Sequence, residues 1–397
     1  MNITIVGGGF GGVKTALELA KNKNNQITLI TDKPDFQYYP ALYSAATGHS
    51  HNQSWVALGE IFAGRPNIEV VLDTITDINP DKKTIGSNSG QTYRYKTLVL
   101  ALGTVTTFFG IKGLDTFAYG IKSADEIKRL KHHLYEEFAV KHAMDKQYVV
   151  IGAGPTGVEL AAALGTYLDR LRDHYKLTHK RPTIHLIEAA PRVLPKMHPS
   201  TSRLVEKRLK RLGVKVSVGQ TVESETADTL MVSGKPIKSQ TVIWTSGVAN
   251  HPFYTANKDS FSFAPNGKII VDDFMRTKDG IYVIGDNAAT PYSGLAQTAL
   301  HDALYVTRTI TDTQKGKVLG KYKVKRPPVV VPVGDGWAVF EWKFIQIRGL
   351  IAALIRMASD VIGYSDVLPF GQALGVWRTQ RIREDDYFAP SSSDTLV

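Results

Sequence analysis

The sequence predicts an α/β architecture in which one parallel-sheet unit is inserted into another. Three observations carry that reading. Short β-branched runs alternate with helical stretches along most of the 397 residues. A strand, a glycine-rich turn and an amphipathic helix begin at Ile3, and the same order of elements begins again at Tyr148. A third apolar strand, residues 281–284, ends in Gly285-Asp286 well after the second unit has closed. At roughly 100–200 residues per domain, such a length allows two or three domains with sizeable cores.

Taken in order, the chain starts directly as a strand, with no basic region or long apolar run, so no signal peptide is expected. Residues 70–79 and 92–100 read as strands of the first domain. Residues 124–144 read as a charged helix with Leu130, Leu134 and Phe138 turned inward. The second domain is expected to close near Trp244-Thr245-Ser246-Gly247. Residues 251–266 are polar and aromatic without a clear period, which predicts a crossing linker. Past residues 321–328 the character changes to an aromatic-rich hairpin and an amphipathic helix. The predicted division is residues 1–115 with 265–325 for the first domain, 116–264 for the second and 326–397 for a C-terminal region.

Composition limits the chemistry. A net charge of +11 favours anionic partners, among them nucleic acid, an acidic membrane surface and phosphate-bearing cofactors. No nucleic-acid motif accompanies it, so nucleic acid is not an expected partner. The chain has no cysteine, which removes disulfides, thiolate zinc sites and thiol redox relays. No metal site is expected. Nowhere do about eighteen uncharged apolar residues run together, so no segment is expected to span a bilayer. The expected placement is the cytosol or a membrane face.

Gly7-Gly8-Gly9-Phe10-Gly11-Gly12 contains G-x-G-x-x-G as Gly7, Gly9 and Gly12. Gly7 permits the tight turn, Gly9 admits a pyrophosphate to the backbone, and Gly12 lets the helix pack close to the sheet. The next strand ends in Thr31-Asp32, where an acid that holds a ribose hydroxyl belongs. The second copy runs through Gly152, Ala153, Gly154, Pro155, Thr156 and Gly157, and its following strand closes on Glu188. A carboxylate there accepts from both ribose hydroxyls and repels a 2′-phosphate, favouring NADH over NADPH. Arg192, four residues on, works against that preference.

With these fingerprints the chain resembles the type II NADH:quinone oxidoreductases, within the two-dinucleotide flavoprotein reductases, over nearly its whole length. Further carriers are Tyr39-Pro40-Ala41-Leu42-Tyr43, Ala101-Leu102-Gly103, Gly152 through Val158-Glu159, Glu188-Ala189-Ala190-Pro191-Arg192, Gly285-Asp286 and Ala296-Gln297-Thr298-Ala299. The resemblance implies two Rossmann-like domains of the glutathione-reductase type, the NADH domain inserted in the FAD domain. It implies that Gly7, Gly8, Gly9, Phe10, Gly11 and Gly12 cradle the FAD pyrophosphate. Thr31 and Asp32 take the adenosine ribose, and Ile75 meets the adenine through its backbone. Ala101 and Gly103 also belong to the FAD site. Asp286 holds the ribityl chain beside Gly285, and Ala296 and Gln297 border the flavin ring. Gly152, Gly154, Pro155, Thr156, Gly157, Glu188 and Gly247 serve the NADH site. Glu159 falls near flavin and nicotinamide as the catalytic candidate, or is a helix-face carboxylate paired for structure. Lys343 is assigned positive charge near the reduced flavin.

The chain departs from that pattern where a second glutamine is usual and His301 stands. Either the imidazole bonds a quinone carbonyl beside Gln297, or it packs on the sheet. Leu102 replaces a frequent threonine, a change expected to affect packing only. Disulfide reductases, sulfide:quinone reductases and peroxidase-type relatives need cysteines, and this chain has none.

On a helical wheel, residues 348–363 put Leu350, Ile351, Leu354, Ile355, Met357, Ala358, Val361 and Ile362 on one face, and Arg348, Arg356, Ser359 and Asp360 on the other. Such a helix suits a membrane interface. Trp342, Trp377, Arg378, Arg381 and Arg383 flank it as interfacial aromatics and anionic-lipid contacts would. The other reading is a helix packed on the protein's own core or on a second copy in a homodimer. The expected function is electron transfer from NADH through FAD to a membrane quinone, menaquinone or ubiquinone, on the cytoplasmic face of the cell membrane. The alternatives are a soluble NADH reductase for a protein or dye acceptor such as ferredoxin, and a non-catalytic NADH-responsive flavoprotein.

Overall fold

In the computed structural model, which describes residues 1–178 and 180–384, the chain opens with β1 (Asn2–Val6), α1 (Phe10–Leu19) and β2 (Gln26–Thr31). β3 (Ile68–Leu72) and β4 (Thr97–Leu100) extend the same sheet. β1 lies parallel to both β2 and β4, and β2 lies parallel to β3. Ile3, Thr4, Ile5 and Val6 are all buried, the uninterrupted run of a strand covered on both faces.

The expected strands at 70–79 and 92–100 are each broken in two. Asp73 makes the first corner, accepting from the backbone N–H of Thr74 and the hydroxyls of Ser89 and Tyr93. Ile75–Asn79, Thr84–Ser87 and Thr92–Arg94 form a small antiparallel sheet of their own. The predicted helix at 124–144 starts on a capping box between Ser123 and Glu126, but its regular α-turns end at Tyr135 and a π-helical stretch, Glu136–Val140, follows.

The second parallel sheet comprises β5 (Gln147–Ile151), β6 (Thr183–Glu188), β7 (Val214–Val218) and β8 (Thr241–Trp244), in the order β7-β6-β5-β8, with α2 (Pro155–His174) between β5 and β6. The two crossings between the sheets, Thr104–Thr106 and Val248–Asn250, pair antiparallel as a short ribbon. The expected boundaries at 115/116 and 264/265 lie beyond these two crossings. Leu114 and Ala118 are buried in a cluster with β5 and β8, so the chain enters the second unit earlier. Residues 251–266 are no mere linker: Phe253 and Tyr254, in the short helix Pro252–Ala256, join Phe261 in the first core. Aromatic rings without a period can fill a core when loop geometry, not helix or strand, aims them.

β9 (Arg276–Lys278) is antiparallel to β10 (Ile281–Val283), and β10 lies parallel to β4. The first sheet therefore reads β9-β10-β4-β1-β2-β3 and is built from both ends of the chain. α3 (Ala296–Gln314) packs along α1.

Beyond it, β11 (Val329–Pro332), β12 (Ala338–Trp342) and β13 (Ile345–Gly349) form an antiparallel sheet that leads into α4 (Leu350–Ser365) and α5 (Phe370–Arg378). Val331, Val333 and Val339 pack in the core of the second unit, whereas Tyr364, Val367, Leu368 and Ala373 pack in the first. Arg348 belongs to β13, not to the helix, because Gly349 turns the chain with φ +76°. Among the described residues no helix is long and apolar enough to cross a membrane. Residues 385–397 of the expected C-terminal region lie outside the described residues.

Candidate nucleotide-binding site

The two glycine turns repeat one geometry. Gly7 has φ +112°, and a Cβ there would stand 2.3 Å from the carbonyl oxygen of Ala101. Gly152 has φ +101°, and its Cβ would stand 2.0 Å from the Ser246 hydroxyl. Gly12 and Gly157 would drive a Cβ to within 1.9 and 1.8 Å of the Gly7 and Gly152 carbonyls. Only glycine fits these four places. Gly9 and Gly154 differ, because a Cβ on either would meet nothing within 4 Å. They are N-caps of α1 and α2, and no side chain caps either helix. The free N–H groups of both helix starts thus face open space, the arrangement that receives a phosphate.

In the first turn Phe10 is buried edge-on against Phe36, with centroids 4.9 Å apart, and Gly11 packs against Ile284. Thr31 is buried beside Gly8, and Asp32 is exposed at the carboxyl end of β2. Ile75 is buried at the start of its strand. Asp286 lies part-buried in the 3₁₀ turn Gly285–Asn287, where the Thr104 hydroxyl donates to it across 3.4 Å. Burial lowers the pKa of the Lys122 and Lys268 ammonium groups, and the charge of Asp286 opposes that fall in both.

Sequence reasoning passed over Asn287. Its side chain is fully buried, accepts from the Gly103 N–H at 2.8 Å, and donates to the Gly103 carbonyl and to Asn250 Oδ1, each at 2.6 Å. One amide therefore ties the outgoing crossing, the returning crossing and the Gly-Asp turn together. Its place directly after Gly285-Asp286 was the available signal.

At the second turn Glu188 is braced by backbone. Its Oε2 accepts from the Ala153 N–H at 2.6 Å and its Oε1 from the Ala190 N–H at 2.8 Å. Arg192 donates to the carbonyls of Pro195 and Met197, at 2.6 and 3.4 Å. Pro155 and Thr156 are exposed at the start of α2. Gly247, at φ +79°, has a packing reason of its own: a Cβ would stand 2.5 Å from the Phe109 ring.

Ala296 and the exposed Gln297 form the first turn of α3. His301, one turn on, has Nε2 2.9 Å from the Lys323 carbonyl, so that nitrogen carries the proton and the ring is held to the segment that crosses α3. Lys343 lies in the hairpin that precedes α4. It sits at the exposed turn between β12 and β13 with φ +53°, its ammonium 5.1 Å from the Trp342 ring centroid, and the hairpin is anchored on the second unit through Glu341, His198 and Thr201. Hairpin register, invisible in the local sequence, carries it there.

Glu159 is buried two residues beyond Gly157 and pairs with Arg356 of α4 at 3.3 Å. Arg356 also holds Asp360 at 3.1 Å and donates to the Pro40 carbonyl at 2.7 Å. One guanidinium is shared by two buried carboxylates. Burial therefore pushes Glu159 up to about 7 despite Arg356, and Asp360 adds to the rise. Tyr38 donates to Asp360 and stacks on Tyr364 at 4.1 Å. The inward face of α4 is thus polar, while Leu350, Ile351, Leu354, Met357 and Ile362 are exposed on it. At the preceding hairpin turn Phe344 is 99% exposed. Among the described residues no cluster fit to hold a metal occurs.

The family described as pyridine nucleotide-disulphide oxidoreductase matches residues 1–303. A type II NADH:quinone oxidoreductase of Mycobacterium tuberculosis is 29% identical over 339 residues, covering 79% of this chain and 72% of that protein. The structure of NDH2 from Plasmodium falciparum in complex with NADH superposes with a TM-score of 0.84 at 18% identity, covering 96% and 97% of the two chains. The sulfide:quinone oxidoreductase of Aquifex aeolicus gives 0.78 at 20% identity, covering 100% and 94%. At such identities the two structures speak for the fold.

Proposed function

The chain belongs to the pyridine nucleotide-disulphide oxidoreductase family, and from that premise we propose that it is an FAD-dependent dehydrogenase passing two electrons from NADH to a membrane quinone. The observation that carries this reading is the pair of open, uncapped glycine turns in a chain without cysteine. Two dinucleotides fit, and no thiol stands between them to relay electrons. The name of the mycobacterial relative supports quinone as the acceptor.

FAD, when bound at the first turn, supplies two-electron redox chemistry at its ring. The chain's residues bind and orient. Gly7, Gly8, Gly9, Phe10, Gly11 and Gly12 take its pyrophosphate on the start of α1, and Thr31 and Asp32 take the ribose. Ile75 borders the adenine, Ala101 and Gly103 line the cleft, and Gly285 lets Asp286 reach the ribityl chain. Ala296 and Gln297 border the ring and meet the quinone. Gly152, Gly154, Pro155, Thr156 and Gly157 seat the NADH pyrophosphate on α2, with Gly247 at the neighbouring strand end. Glu188 accepts from the ribose hydroxyls. Arg192 donates to backbone carbonyls, and the Glu188 carboxylate, which repels a 2′-phosphate, favours NADH. Hydride transfer depends chiefly on positioning, so no acid–base residue is needed for it. Glu159, with its pKa near neutrality, is suited to exchange a proton during quinone reduction.

The sheets support a division into two domains: an FAD domain from both ends of the chain, and an NADH domain between the crossings at 104–106 and 248–250. The outward apolar face of α4 and the Phe344 turn suit the interface of a bilayer, with the protein peripheral on the cytoplasmic face. Burying each such side chain is worth about 1.5–3 kcal/mol, enough in combination for firm attachment. A homodimer formed through this face would compete with lipid for it.

Steady-state kinetics on vesicles test the reading. The purified protein should carry FAD, be reduced by NADH faster than by NADPH, and turn over with menaquinone or ubiquinone well above its rate with oxygen. A protein without flavin, or one that quinone leaves unaccelerated, contradicts it.

A further inference from the structure

Asp302 is fully buried, yet its two oxygens each have a partner from a different part of the chain. Oδ2 accepts from the Gly285 N–H at 3.0 Å. Oδ1 accepts from the Tyr322 hydroxyl at 2.6 Å. Tyr322 belongs to an irregular segment that crosses α3 as a strap. Its own N–H donates to the Asp273 carbonyl at 2.7 Å, Tyr305 donates to the Gly320 carbonyl at 2.7 Å, and His301 binds the Lys323 carbonyl. The Tyr305 and Tyr322 rings meet edge to face at 5.1 Å.

We propose that Tyr322 and Asp302 form a positioning relay for the flavin, in which the strap fixes the Asp302 carboxylate, the carboxylate fixes the Gly285 N–H, and the turn so fixed presents Asp286 to the ribityl chain. The inference rests on the FAD reading above and adds two residues that never touch the cofactor. A buried carboxylate costs stability and is not needed to fill space, since an apolar side chain would do that more cheaply. Gly285 sits at φ +71°, a conformation held by its surroundings rather than by a side chain of its own. An anionic acceptor bonds its N–H about twice as strongly as a neutral one.

The carboxylate should therefore act as a pH-sensitive latch. Burial pushes Asp302 up to about 6, opposed by the hydrogen bonds from Tyr322 and Gly285 and by His301, and assisted by Asp286. The charged groups on α1, Lys14 and Glu18, pair with each other, and Lys14 also with Asp366 and Glu18 with Lys21. A proton on Asp302 occupies the oxygen that Tyr322 needs and weakens the hold on Gly285.

The test is release of FAD from the holoenzyme, read as flavin fluorescence, from about pH 5 to about pH 8 around the carboxyl's pKa. Wild-type release should quicken as pH falls through about 6. Tyr322→Phe keeps the ring contacts and should release FAD about tenfold faster at neutral pH. It should also move the acid-triggered rise to higher pH, because Asp302 loses the bond that favours its charged form. Asp302→Asn should release faster still, with no pH dependence in this window. Lys321→Ala, which breaks only the exposed pair with Asp273, should match wild type. If wild type holds FAD and Tyr322→Phe keeps its rate and pH profile, the relay is overturned, whether or not Asp302→Asn folds. If wild type holds no FAD, the flavin assignment fails, and the relay with it.

Discussion

Glycines that look alike in the fingerprint do different work. Gly12 is needed by the fold, since a Cβ would collide with the Gly7 carbonyl at 1.9 Å. Gly9 has ordinary extended backbone, φ −85°, and no neighbour within 4 Å of a Cβ. Gly9→Ala should therefore leave the melting temperature of the flavin-free protein unchanged while FAD retention falls sharply. Gly12→Ala should abolish soluble expression or lower the melting temperature steeply. Equal stability losses in both variants would contradict this division. Glu188→Ala removes two backbone hydrogen bonds as well as the ribose contact. Its NADH Michaelis constant should rise about ten- to a hundredfold, the worth of roughly 1.5–3 kcal/mol for bonds to a charged group. Flavin content should be unchanged, as an absorbance ratio would show.

At the scale of elements, the decisive contact is the seat of α4. Arg356 joins that helix to Glu159 of α2 and to the Pro40 carbonyl, so one side chain links the tail to both units. Arg356→Leu leaves two buried carboxylates without their cation and should cost about 3–5 kcal/mol in unfolding free energy. Arg356→Leu with Glu159→Gln and Asp360→Asn should recover most of that loss in chemical denaturation. On the opposite face, Ile351→Glu with Leu354→Glu should free the protein from vesicles in flotation assays and leave flavin bound. Unchanged flotation would mean that another surface holds the membrane. Helical periodicity is enough to place Arg356 and Asp360 on one face and the apolar residues on the other. It cannot reveal that Glu159 waits opposite, because that partner lies 197 residues away. The glycine turns are legible for the converse reason, since a turn, its strand and its helix are neighbours in sequence. Lys343 escapes local reading because hairpin register, set by cross-strand pairing, decides where its turn points. Near 115 and 264 local composition is silent on which core Leu114 and Phe253, Tyr254 and Phe261 join, because partners far along the chain decide it.

The molecule as a whole carries opposing buried charges. Glu137 and Glu159 are pushed up by burial to about 7, and Glu225 to about 8. Each favours the folded state fully below the ordinary carboxylate range, a contribution lost as pH rises through those values. Burial lowers His133 and His185 to about 4, so their contribution is present above the ordinary imidazole value and lost as pH falls through about 4. From these groups three carboxylates outweigh two imidazoles above the ordinary carboxylate range, so thermal stability should peak near about pH 4.5 and fall most steeply near about pH 7, and a melting temperature that climbs steadily to alkaline pH would contradict the balance.

Electrons leave the flavin directly for a quinone, since no cysteine can carry them. Stopped-flow reoxidation of the NADH-reduced protein on vesicles measures that step alone. Menaquinone or ubiquinone should restore the oxidised flavin spectrum at least about a hundredfold faster than oxygen, a difference of roughly 2.7 kcal/mol in barrier. Reoxidation no faster with quinone than with oxygen, or fast only with a protein acceptor such as ferredoxin, would contradict the account.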